Sequence, residues 1–179
     1  MSNWTLVEGN LCDGVPMRLF VGERDGTITA ASLSDPQHPR TEEEFLWRFG
    51  APHTRWKSPV LEKAAEQASE YFRGTRTSFS DLPFLMKGTN FQRRVWEELR
   101  LIPFGSTISY GQLAERIEAP AAFRAVGNAN GRNCLPLFVP CHRVLAAGGK
   151  LGGFTGGLGL KKRLLVHEST VLNLPLALS

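Results

Sequence analysis

Hydrophobic and polar positions change period several times along this chain. In MRLFVGERDGTITAASL, two alternating stretches flank Asp25-Gly26, a dipeptide that readily adopts the positive φ angles of a tight turn, so a β-hairpin is predicted. TEEEFLWRF opens with Thr41 and Glu44 at capping-box spacing and predicts a short helix. SPVLEKAAEQASEYFRG predicts a firmer one: Ser58 caps it, Pro59 suits its first turn, Gly74 ends it, and Val60, Leu61, Ala64, Ala68, Tyr71 and Phe72 form one apolar face. These elements make the first half a small α/β unit. Proline and glycine in SDLPFLMKGT mark a hinge, which sets an N-terminal domain of structural role at residues 1–86 and a C-terminal domain at 87–179.

Beyond the hinge the period becomes helical. TNFQRRVWEELRLIPFG has Thr89 and Gln92 at capping-box spacing and places Phe91, Val95, Trp96 and Leu99 on one face before Pro103 and Gly105 stop it. In SYGQLAERIEAPAAFRAVGNANG, Ser109 and Gln112 start a helix near Tyr110 that turns Leu113, Ala114 and Ile117 inward. Pro120 and Gly131 then bracket a second helix. Two short helices joined by a short turn are a helix-turn-helix candidate. The small residues of the second, Ala121, Ala122, Ala125, Gly127 and Ala129, permit close approach either to a groove of DNA or to a neighbouring helix.

Composition narrows the partner. The chain has 179 residues, 42% of them hydrophobic, which suits a globular fold with a core. No apolar run reaches the length of a membrane span and no secretory signal opens the chain, so a cytoplasmic protein without a membrane partner is expected, associated with the nucleoid when on DNA. Net charge is +4, and it is unevenly placed: residues 1–88 hold 10 Lys and Arg against 12 Asp and Glu, residues 89–179 hold 11 against 5. A basic second half, with Arg124 near the start of the second helix, points toward nucleic acid.

Cys12, Cys134 and Cys141 fit neither a disulfide framework nor a CxxC zinc pattern. His38 and His53 read as loop histidines. In LFVPCHRVLAAGGKLGGFTGG, Pro140 restricts Val139 to extended backbone and presents Cys141 from a stiff segment beside His142. Side chains of consecutive extended residues diverge, so a bridging water is the expected link between thiol and imidazole. The thiolate is the nucleophile, and a base raises its share. Glu168 is the best acidic partner for His142. His167 is an alternative partner for the thiol, better read as a helix-end side chain. The glycine-rich loop lacks the lysine and serine spacing of a phosphate loop.

PCHRV, preceded by FQRRVWEELRLIPFGSTISYGQLAERI and RAVGNANGRN, resembles the O6-alkylguanine-DNA alkyltransferases, also called methylated-DNA--protein-cysteine methyltransferases, continuously from about Gly88 to Glu168. The resemblance implies a ribonuclease-H-like N-terminal domain, then a mostly α domain with a helix-turn-helix. It implies direct, single-turnover repair of double-stranded DNA, with an alkyl group moving from O6-alkylguanine, or O4-alkylthymine, to the protein's own cysteine after base flipping. Cys141 would be the acceptor, activated through water by His142, which Glu168 orients. Arg124 would replace the extruded base, Tyr110 would displace the 3′ phosphate and donate to guanine N3, and Asn133 would be the hinge between helix pair and active-site segment. Ala125, Gly127 and Asn130 would line the DNA side of the second helix. Val139 and Val144 would offer carbonyls to the exocyclic amine, and Phe154 and the Thr155 N–H would border O6. Phe154, Asn130 and Cys134 depart from residues common in the family, the first two bearing on tolerance of bulky adducts. No metal or other cofactor is expected, and a monomer is, with cooperativity on DNA left open.

Two rival readings stand beside this one. A cysteine hydrolase using Cys141, His142 and Glu168 would turn over repeatedly, and a DNA-binding module that recognises the lesion without reacting would survive loss of Cys141.

Overall fold

The computed structural model of the chain describes residues 2–49, 54–55, 58–176 and 178. His53 lies outside them. They divide into two compact units, Met1–Met86 and Lys87–Ser179.

The first unit is a four-stranded sheet, β1 (Ser2–Asn10), β2 (Pro16–Arg24), β3 (Thr27–Ser34) and β4 (Thr54–Arg55), in the order β3-β2-β1-β4. β1, β2 and β3 run antiparallel, and β4 pairs in parallel with β1. Asp25 and Gly26 take φ of 51° and 77° between β2 and β3, as a two-residue hairpin requires. α1 (Glu42–Phe49) and α2 (Pro59–Phe72) complete the unit.

Strand alternation sends the two helices to opposite faces. Trp4 and Phe20 pack with Phe45 of α1, and the Phe20 and Phe45 rings stack at 5.5 Å. Gly9, five residues after Trp4, faces α2, where a Cβ would come within 2.8 Å of the Phe72 ring. α2 starts at the Ser58 cap and ends as Gly74 (φ 75°) and Thr75 donate to the carbonyls of Tyr71 and Glu70, a Schellman pair. Val60, expected on the apolar face, is only half-buried.

The second unit contains α3 (Asn90–Leu99), β5 (Ile108–Ser109), α4 (Tyr110–Arg116), α5 (Phe123–Gly131), β6 (Val144–Leu145) and α6 (Leu158–Val171). Reciprocal capping boxes open α3, through Thr89 and Gln92, and α4, through Ser109 and Gln112. Val95, Trp96 and Leu99 are buried as expected, whereas Phe91 stays half-buried. The Trp96 indole donates to the Ala129 carbonyl at 2.8 Å and fastens α3 to α5. Between α4 and α5, Glu118 takes φ of 56°, and Pro120–Ala122 form a single 3₁₀ turn before the α-helix begins. Ile108 and Ser109 pair in parallel with Val144 and Leu145, bringing the start of α4 beside the PCHRV segment. Among the described residues, no helix is long and apolar enough to cross a membrane.

Candidate active site

Cys141 is delivered by consecutive tight turns. Leu137 has φ of 77°, a strained backbone for a bulky side chain, held by burial of its isobutyl group and by the Val139 N–H donating to Leu135 O at 2.8 Å. Pro140 (φ −80°, ψ 64°) then closes an inverse γ-turn, with the Cys141 N–H on Val139 O at 2.8 Å. A 3₁₀ turn, Cys141–Arg143, follows. The expected stiff segment is therefore tightly folded rather than extended. Successive residues of a 3₁₀ turn are a third of a revolution apart, so Cys141 and His142 still diverge.

Glu168 organises the site from α6, fully buried. His142 Nε2 lies 2.8 Å from Oε1, Arg143 Nη2 donates to Oε1 at 2.9 Å and Arg143 Nε to Oε2 at 3.0 Å, and the Gly105 N–H donates to Oε2 at 2.9 Å. Arg143 Nη1 also reaches the Ile102 carbonyl at 2.7 Å. Burial opposes ionisation of Glu168, but His142 and Arg143 outweigh it and hold the carboxyl well below the usual range. Burial lowers the His142 pKa against the pull of Glu168, so the ring is neutral near pH 7. A carboxylate only accepts, which assigns the ring proton to Nε2 and leaves a lone pair on Nδ1. Nδ1 is buried without a hydrogen-bond partner among the described residues, so no direct thiol–imidazole bond forms.

The Cys141 thiol, 5% exposed, is pushed up to about 11 by burial, opposed by the Asn133 amide and by the charge of Lys161. Lys161 is itself fully buried. Its Nζ donates to Val144 O at 2.6 Å and to Leu151 O, and lies 5.9 Å from the centre of the Tyr110 ring. Burial lowers it to about 8 against the pull of Cys141. Tyr110 donates to Gly153 O at 3.2 Å, and its phenol is raised by burial and then by the nearby Cys141, against a bond from Asn130.

Asn133 Nδ2 donates to Val139 O at 2.8 Å while Oδ1 accepts from the Leu135 N–H at 2.9 Å, which ties the end of α5 to the cysteine segment. The Val139 carbonyl thus holds two donors and that of Val144 holds Lys161. Thr155 Oγ1 donates to Gly131 O at 2.6 Å beside a half-buried Phe154. Arg124 and Ala125 are exposed on α5 and Gly127 is half-buried. Asn130 departs from the DNA-side placement expected of it: it is 2% exposed and donates to Cys141 O at 3.2 Å, because its helical phase is that of the buried Val126 and Ala129. His167, read as a helix-end side chain, is buried within α6. His38 sits in a turn with its ring on Asp35, and no cluster of three metal-ligating side chains occurs among the described residues.

Sequence reasoning missed Arg143, Lys161 and Gly105. A signal existed for the lysine: Lys161, Leu164, Leu165 and Glu168 fall at helical spacing, so an apolar stripe carries a charge at each end.

The family model of the 6-O-methylguanine DNA methyltransferase DNA-binding domain matches residues 90–170. A methylated-DNA--protein-cysteine methyltransferase of Mycolicibacterium paratuberculosis is 53% identical over 105 residues, 59% of this chain and 63% of the relative, so the matched stretch spans under two thirds of that protein. The constitutive methylated-DNA--protein-cysteine methyltransferase of Bacillus subtilis is 42% identical over 150 residues, 83% of this chain and 87% of the relative. Among solved structures, Mycobacterium tuberculosis O6-methylguanine methyltransferase superposes with a TM-score of 0.74 at 35% identity, covering 95% of this chain and 94% of that one. A second crystal structure of that enzyme, in complex with DNA, gives 0.72 at 35% over 94% of each chain. The likeness to the Bacillus and M. tuberculosis proteins extends through both units, and the chain belongs to the methylated-DNA--protein-cysteine methyltransferase family.

Proposed function

We propose that this protein repairs double-stranded DNA directly, moving the alkyl group of an O6-alkylguanine onto Cys141 Sγ once per molecule. The observation that carries the reading is the Glu168 carboxylate locked onto His142 Nε2, which leaves Nδ1 as a neutral, buried base on the residue next to the Cys141 thiol. In the reaction, the thiol proton passes through a water to Nδ1 and Sγ attacks the alkyl carbon. The S–C bond forms as the C–O6 bond breaks, and the electron pair leaves with the base. Tyr110 donates toward guanine N3 as that charge develops, and the Val144 carbonyl, with one protein donor, accepts from the exocyclic amine. Val139, whose carbonyl already holds two donors, is the weaker acceptor. Phe154 and the Thr155 N–H border O6. A thioether is not hydrolysed by water, so the chain reacts once. O4-alkylthymine presents an equivalent alkyl–oxygen bond and is a second substrate.

α4 and α5 act as a helix-turn-helix, with Arg124 taking the place of the extruded base and Ala125 and Gly127 against the duplex. Extrusion is needed because the target atom is stacked within the helix. The strand order β3-β2-β1-β4, with β4 parallel to β1, supports a ribonuclease-H-like, structural first domain. The protein works as a cytoplasmic monomer, nucleoid-associated when on DNA. Incubation with a duplex carrying O6-methylguanine tests the reading: the peptide containing Cys141 gains the mass of one CH₂, at most once per chain. Unmodified protein after full exposure to substrate overturns it.

A further inference from the structure

The first turn of α5 carries a side chain that neither the fold nor the reaction described above uses. Phe123 is 48% exposed. Helical spacing sets it with the exposed Arg124 and Asn128, while Val126, Ala129 and Asn130 turn inward and the half-buried Gly127 faces the Tyr110 ring. Ala121 and Ala125, close to it in sequence, are small and exposed. The ring therefore stands out from a shallow strip. The guanidinium of Arg124 lies against it, Cζ 5.5 Å from the ring centre, an arrangement that limits the freedom of both side chains before anything binds. Residues 119–140 contain Arg124 and Arg132 and no acid, and residues 87–179 hold 12 Lys and Arg against 5 Asp and Glu, a net of +7. A duplex polyanion is the occupant that this charge selects.

We propose that Phe123 is an aromatic wedge, which stacks at the base step flanking the extruded nucleotide while Arg124 fills the position the nucleotide has left. The proposal rests on the repair reading and on Arg124 as the replacing side chain. A base next to a vacated position has an uncovered π-face, and an aromatic ring covers it whatever the base identity. The contact exists only after extrusion, so the ring favours the extruded state over simple docking.

Single-turnover methyl transfer separates these contributions. The rate with an O6-methylguanine duplex, divided by the rate with the free base, falls about tenfold in Phe123→Ala, as loss of one base–aromatic stack implies. Phe123→Trp restores most of that ratio. The fluorescence rise of a 2-aminopurine placed beside the lesion, which reports unstacking, shrinks in Phe123→Ala and returns in Phe123→Trp. A Phe123→Ala protein that keeps both the wild-type ratio and the wild-type fluorescence rise overturns the wedge and leaves the repair reading intact. A wild-type protein that takes no methyl from either substrate overturns the repair reading, and the wedge with it.

Discussion

The interiors of the two units use buried charge differently. In the first, Trp4, Phe20 and Phe45 pack ring to ring around the sheet, with Met17, Leu19 and Ile28 fully buried, and the buried acids Glu23 and Asp35 accept from the N–H groups of their own turns. In the second, His142, Arg143, Lys161 and Glu168 are as deeply buried as the leucines around them. Apolar burial is tolerant, since each ring contributes by area and neighbours can shift. Buried charges have no such latitude. Removing one partner leaves another unpaired, and water cannot compensate. The difference teaches where the chemistry resides: a core that holds four ionisable side chains in register is arranged to fix protonation states, which packing alone does not require.

Substitutions can break this contrast, the most severe first. Cys141→Ala abolishes methyl transfer altogether, and mass spectrometry of the intact chain then shows no CH₂ gain. Arg143→Ala strips Glu168 of its bidentate partner and destabilises the chain by about 3–5 kcal/mol, read from urea denaturation. If the loss were below about 1 kcal/mol, the size of an exposed pair, the network would not carry the stability assigned to it. Phe20→Ala destabilises by a similar amount, about 3–5 kcal/mol, but through lost area and a cavity. Its loss does not vary with pH, whereas the Glu168 contribution does. The folded carboxyl titrates below its unfolded value, so its contribution is full above the ordinary carboxylate range and is lost progressively as pH falls from that range toward the lower folded value. Comparing the acid limb of Tm against pH in Phe20→Ala and Glu168→Gln, only the second flattens it.

Lys161→Met gives a smaller, kinetic change. The ammonium favours the Cys141 thiolate, and it loses its proton at about 8. Deprotonation of the thiol accelerates transfer as pH rises, and loss of the lysine charge near pH 8 slackens that rise. Lys161→Met slows transfer about tenfold at neutral pH, equivalent to roughly 1.4 kcal/mol, and removes the change of slope near pH 8. Stopped-flow rates from pH 6 to 10 decide it. The smallest effect belongs to Gly74→Ala, which forces a Cβ into the left-handed conformation at the end of α2 and destabilises by about 1 kcal/mol, with transfer by the folded protein unaltered.

What could be read from the residues alone follows the range of the forces involved. The Asp25-Gly26 turn, the Ser58 cap and the capping boxes at Thr89 and Ser109 are decided within four residues, and they stand where the spacing puts them. β1 escaped because its Gly9 weakens the alternation, and its pairing with β2 supplies what its own pattern lacks. Pro140 misled in an instructive way: proline restricts the residue before it, but its own ψ of 64° is set by a γ-turn that the preceding loop imposes. The DNA-side placement of Asn130 came from the resemblance and not from the residue's own pattern, and its helical phase, shared with the buried Val126 and Ala129, turns it inward to Cys141 O. The pairing of His142 with Glu168 was legible by elimination among few acids, whereas Arg143 reveals itself only once Ile102 and Glu168 are brought to it by the fold.

The hydrogens of Lys161 separate two jobs that one side chain performs. An ammonium has three N–H bonds and a neutral amine two, and two suffice for the carbonyls of Val144 and Leu151. Alkaline titration thus removes charge from beside the sulfur while both anchors of the neighbouring loop survive. Charge can here be turned off while geometry is kept.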